Sequence, residues 1–148
     1  MHFFEDFAVG QKFELGTYLM TEEEILEFAQ RFDPQPFHVD ATAAADSQFG
    51  GLIASGWHTA SAFMRLWVDG LLSSSASMGS PGVSDLRWLS PVRPGDELSG
   101  WIEVTGTRPS RTKPGRGTVE TRGTVFNQNG ETVMTLESAG MFARRASA

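Results

Sequence analysis

A chain of 148 residues with 40% hydrophobic and 20% charged side chains holds enough material for one folded domain over 1–148, and its composition is not that of a disordered segment. Its net charge of −6 argues against a general nucleic-acid binder, which carries a basic face. The absence of Cys removes disulfides, thiolate nucleophiles and Cys-held zinc or iron–sulfur sites.

No apolar run approaches the roughly 18 residues of a membrane span. Residues 1 to 6 lack the basic-then-apolar layout of a signal peptide. The chain therefore reads as a soluble cytoplasmic protein. Its first element is a short strand over Lys12 to Leu19, after a turn at Val9 to Gln11. A marked helix start follows. Thr21 is a natural N-cap, Glu24 three residues later completes a capping box, and Met20 with Ile25 form a hydrophobic staple. Ile25, Phe28, Ala29 and Phe32 then trace one apolar stripe, and the helix stops at Asp33-Pro34.

The next stretch, Arg31 to Asp40, sets Asp33 and His38 five residues apart with Pro34 and Pro36 between them. On one helix those side chains would be about 140° apart. In a straight strand they would be roughly 16 Å apart on opposite faces. They meet only if the backbone folds back, and the two prolines stiffen such a turn. A rigid polar loop carrying an acid and an imidazole suits acid–base chemistry; its plainer reading is a helix-ending turn with a surface His.

Residues 40 to 48 form a short helix with Asp40 as cap, broken by 49–55. Gly56 opens the longest periodic segment. Trp57, Ala60, Met64, Trp67, Val68 and Leu71 define its stripe, widened by Phe63 and Leu72, so the helix belongs under a sheet and both tryptophans are packing residues first. After a loop at 73–82, strands are expected over 83–90, 97–107, 118–127 and 132–144, with Asn129-Gly130 as a hairpin turn. Helices followed by hairpins give an α+β fold, an antiparallel sheet covering one long helix. The link 108–117 carries Arg108, Arg111, Lys113 and Arg116 without an acid, so the rest of the chain stands at −10. It reads as a solvated hairpin tip in preference to a clamp for coenzyme A phosphates.

Familiar constellations are missing: no G-x-S-x-G elbow, no H-E-x-x-H, no P-loop and no G-x-G-x-x-G. Three His without Cys make no metal site. What remains is the Asp33/His38 pair and the helix start at Ser55-Gly56-Trp57. The first N–H groups of a helix lack partners, and Gly56 has no side chain to keep a ligand oxygen from them. That makes an oxyanion-type site, beside a plainer role for Ser55 as helix cap.

These residues carry a resemblance. Asp33-x-Gln35-Pro36-x-His38 resembles the D-x-N-P-x-H motif of the MaoC-like, (R)-specific enoyl-CoA hydratases of the hotdog superfamily. Phe4 to Phe7 with Val9-Gly10, the stretch Ile53 to Gly56, and Arg87 to Asp96 against F-x-x-P-V-x-x-G-D extend it over most of the chain in order. The resemblance implies a hotdog fold wrapping a helix at about 56–73, and a dimer or higher assembly with an acyl-CoA site at a subunit boundary. It implies that Asp33 and His38 activate a water and that the Gly56 N–H binds the thioester carbonyl. Gln35 stands where the motif has Asn, which leaves its role in bracing the loop or contacting substrate open. Trp57 follows Gly56 and is a candidate for the acyl pocket. The activity implied is reversible hydration of a trans-2-enoyl thioester with no metal or other cofactor, coenzyme A being part of the substrate. A hotdog thioesterase and a non-catalytic acyl-CoA-binding protein are the alternatives.

Overall fold

The structure is a computed structural model that describes residues 1–146. A 3₁₀ turn at Phe4–Asp6 leads into strand β1 (Lys12–Leu19). Helices α1 (Glu22–Phe32), α2 (Pro36–Val39), α3 (Ala41–Ala45) and α4 (Gly56–Gly70) follow, then strands β2 (Gly82–Trp88), β3 (Glu97–Pro109), β4 (Arg116–Phe126) and β5 (Thr132–Ala143). The strands form one antiparallel sheet in the order β1-β3-β4-β5-β2, the hotdog arrangement in which a sheet curls around one helix. No helix among the described residues is long and apolar enough to cross a membrane.

Alternation builds the sheet's inner face. Along β4, Gly117, Val119, Thr121, Gly123 and Val125 are buried while their neighbours face outward. Ile102 and Val104 of β3 and Val133, Met134 and Leu136 of β5 complete that face. Helix α4 buries Thr59, Ala62, Phe63 and Leu66 along its inner side, while its buried His58 stacks on Phe28 of α1. The contact is close: a Cβ at Gly123 would lie 2.7 Å from the Phe63 ring, so helix and sheet meet only because that position has none.

Several expectations change here. The buried stripe of α4 is rotated from the one expected. Trp57 is 58% exposed, and Met64 and Val68 are exposed too, so Trp57 is not a core residue. Apolar residues line more than one side of this helix, and periodicity alone does not say which side meets the sheet. Phe32 is also exposed, although Ile25 and Ala29 of the same stripe are fully buried. The Thr21 hydroxyl does cap α1, accepting the Glu24 N–H at 3.2 Å. Glu24 does not close the box, because its carboxylate accepts the Tyr18 hydroxyl at 2.8 Å instead. The long helix ends at Gly70, with a 3₁₀ turn over Leu72–Ser74 in place of its last residues. Strands β3 and β4 run into the basic link, and Arg108 is paired with Glu120 across them.

The edge strand β2 is irregular. Its pairing with β5 shifts between Ser84 and Arg87, where Asp85 takes φ 51° and its carboxylate accepts from Arg87.

Candidate active site

Helix α1 ends on Asp33, whose N–H still reaches Ala29 O at 2.8 Å. The chain then reverses. Gln35 N–H donates to Asp33 O, and Pro36 occupies the first position of α2, where a missing N–H costs nothing. One turn later His38 faces back toward Asp33. The fold-back that the five-residue spacing requires is thus a one-turn helix.

His38 is buried, with Nδ1 2.7 Å from the Ile53 carbonyl oxygen and Nε2 3.3 Å from Asp33 Oδ2. A carbonyl only accepts, so Nδ1 carries a hydrogen and Nε2 is the nitrogen presented to Asp33. The Asp33 carboxylate is held at both oxygens. Gln35 Nε2 donates to Oδ1 at 2.8 Å, and the Ser55 hydroxyl donates to Oδ2 at 2.7 Å. Burial pushes the Asp33 carboxyl up. Donation from Gln35 and Ser55, with the neighbouring His38 charge, outweighs that and holds it below the ordinary Asp value.

The same Ser55 oxygen accepts the Trp57 N–H at 3.3 Å, capping α4. His58 and Thr59 N–H bond to Ser55 O, whereas the Gly56 N–H has no partner among the described residues. Gly56 and His38 both line a cleft of about 260 Å³ with Phe49, Ile53, Thr59 and Trp88. Trp88, part of the same cleft wall, covers Gly56: its indole donates to the Gly56 carbonyl at 2.8 Å, and a Cβ at Gly56 would clash with the ring.

Gln35 and His38 thus meet at Asp33, and His38 shares with Gly56 a cleft that Asp33 and Gln35 do not themselves line. Trp57 does not line the cleft; it stands outside, edge-on to Trp88 with ring centroids 5.2 Å apart. Three contributors lay beyond the sequence reading. Ser55 was legible as a cap but not as a partner of Asp33, 22 residues away. The Ile53 carbonyl and the Trp88 indole carry no local signal, since only the fold brings them to His38 and Gly56.

Comparison with known proteins agrees with this arrangement. The family model described as "MaoC like domain" matches residues 6–126. The chain is 32% identical over 115 residues to the uncharacterized protein YdeM of Bacillus subtilis (strain 168), covering 78% of this chain and 82% of that one. It is 28% identical over 117 residues to the (R)-specific enoyl-CoA hydratase of Rhodospirillum rubrum, covering 75% of each. Among solved structures it resembles a MaoC-like dehydratase from Rhodospirillum rubrum, with TM-score 0.91 and 42% identity over 99% of this chain and all of that one. A family match over most of the chain, on a hotdog fold, fixes its kinship: the chain belongs to the MaoC-like dehydratase family.

Proposed function

We propose that the chain is a hydro-lyase that reversibly adds water to a trans-2-enoyl-CoA, giving the 3-hydroxyacyl thioester. The observation that carries this reading is the convergence of His38 Nε2 and Asp33 Oδ2, 3.3 Å apart, at a helix start with an unpartnered N–H. With Nδ1 committed to Ile53 O, a neutral His38 offers Nε2 as an acceptor, and the carboxylate offers another. A water between them donates one hydrogen to each, which orients its lone pair toward a bound enoyl group. The thioester carbonyl accepts from the Gly56 N–H at the positive end of α4, which draws electrons from C3 and stabilises the enolate that forms. One such donor contributes on the order of 3 kcal/mol in a dry site. No resident cofactor is assigned: coenzyme A enters as part of the substrate. The kinship with the Rhodospirillum rubrum hydratase supports the same chemistry.

The reading places two copies together. Trp57, Met64 and Val68 of α4 and Val83, Trp88 and Leu89 are exposed on one chain, and Trp88 and Leu89 line the cleft, so a second copy laid over that edge would close it from water.

The test is a panel of trans-2-enoyl-CoAs of several chain lengths, followed by loss of enoyl absorbance. Wild type consumes at least one with the thioester intact. His38→Gln and Asp33→Asn each lower kcat by roughly 10²- to 10⁴-fold while leaving the melting temperature within a few degrees. Release of free thiol would make the chain a thioesterase, and full activity in either variant would remove the assigned pair.

A further inference from the structure

We propose that the favoured substrate is an enoyl thioester whose tail carries a hydrogen-bond acceptor, read by unspent donors, the Trp67 indole first among them, in a cavity beneath the second half of α4. The inference rests on the hydratase reading and names the substrate class within it.

The cavity holds about 290 Å³ between α4 and the inner face of the sheet. Ile102 of β3, Val119 of β4 and Phe142 of β5 give it an apolar wall. Trp67 lines it too, and its indole N–H lies out of solvent with no partner among the described residues. An indole N–H only donates. Thr121 and Ser138, also in the lining, face each other across β4 and β5 with their hydroxyl oxygens 3.1 Å apart. Both are buried. Their mutual bond uses one of two hydroxyl hydrogens, and the other has no acceptor among the described residues. A buried donor left unmade is costly, and a plain hydrocarbon tail leaves these unmade. A carbonyl, ether or hydroxyl oxygen on the tail supplies what they lack.

Cavity and cleft share no lining residue, yet two elements run from one to the other. On α4, Gly56 and Thr59 line the cleft, and Met64 and Trp67 line the cavity. On β2, Trp88 lines the cleft and Val83 the cavity. Met64 stands about 12 Å from Gly56 along the helix axis, at 1.5 Å per residue. A tail that leaves the thioester carbonyl at the Gly56 N–H and follows this edge enters the cavity past Met64 and Val83, which are exposed on one chain. On the assembly proposed above, the second copy roofs that path. The acceptor thus belongs well away from the reacting carbons, where it leaves the hydration step untouched.

The test begins without thioester. Nitrogen-15 spectra of the four tryptophan indoles are recorded with octan-2-one and with octane, and Trp67→Phe assigns the Trp67 signal. The ketone moves the Trp67 N–H proton downfield and octane does not. The ratio of ketone to octane affinity falls about tenfold in Trp67→Phe, the worth of one hydrogen bond. It falls also in Ser138→Ala, which changes no residue of α4. In turnover, wild type has the higher kcat/KM for 9-oxo-trans-2-decenoyl-CoA than for trans-2-decenoyl-CoA, and both variants reduce that preference. A Trp67 signal that the ketone leaves in place, an affinity ratio unchanged in both variants, or equal kcat/KM for the two thioesters overturns the proposal. Hydration of both thioesters at equal kcat/KM leaves the hydratase reading standing. If the ketone binds as stated and no enoyl thioester is hydrated, the acceptor site stands and the hydratase reading falls.

Discussion

At the scale of single residues, two ionisable groups sit in contrasting surroundings. Asp33 is surrounded by donors that lower its carboxyl. Its charge is therefore kept to lower pH than an ordinary Asp keeps it. Carbon-13 NMR of the Asp33 carboxyl should place its midpoint below the ordinary Asp value in the folded protein, followed by circular dichroism, and a midpoint at or above that value would contradict this arrangement of donors. His58 is the opposite case. It lies under α1, stacked on Phe28 with ring centroids 4.8 Å apart. Burial depresses its pKa, and Glu24, 3.9 Å away, only partly offsets this. With its folded value below the unfolded one, His58 contributes stability that is complete above about pH 6.5 and is lost as pH falls through the folded value. Melting temperature should therefore drop through that window in wild type, and His58→Gln should flatten the drop. Most of the candidate site was legible at this scale, because Asp33, His38 and Gly56 each stand in a recognisable local pattern. Gln35 was not, since an amide's partner depends on the turn it sits in; the fold-back directs it to Asp33.

At the scale of elements, the site depends on how α4 begins. The start of the helix is clasped from three sides: Ser55 ties it to Asp33, Ala54 N–H bonds Val92 O, and Trp88 covers Gly56. Gly56→Ala drives its methyl into the Trp88 indole, so the ring or the helix must shift. A loss of about 1–3 kcal/mol in unfolding free energy is expected by denaturant titration, with activity falling as the N–H moves. Adding Trp88→Ala should recover part of that stability, and a strictly additive double variant would show that the two do not meet. Helix boundaries were readable from Thr21, Asp40 and Ser55, whose side chains cap α1, α3 and α4. The facing of α4 was not. Its small and polar residues, Thr59 and Ala62 with Ser55, lie inward because Gly123 lets Phe63 press close, while the larger Trp57 and Met64 stay outside.

At the scale of the whole molecule, the hotdog architecture leaves the apolar flank of α4 and the bulged edge strand β2 facing outward together. On the proposed assembly that flank is a subunit contact. Met64→Glu places a charge there without touching the sheet core, so sedimentation should show a shift toward single chains and the hydration rate should fall with it. A dimer of unchanged strength would show that the second copy sits elsewhere. The order of strands and helices was legible along the chain, because each is bounded by its own caps, prolines and glycines. The pairing β1-β3-β4-β5-β2 was not, since adjacency of β2 with β5 joins residues some fifty positions apart. The Trp88 indole donates to the carbonyl of Gly56, and both residues line the cleft. Its emission therefore depends on the peptide dipoles at the helix start, and in a chain whose other tryptophans are replaced by Phe, Trp88 would act as a built-in optical gauge of whatever enters the cleft.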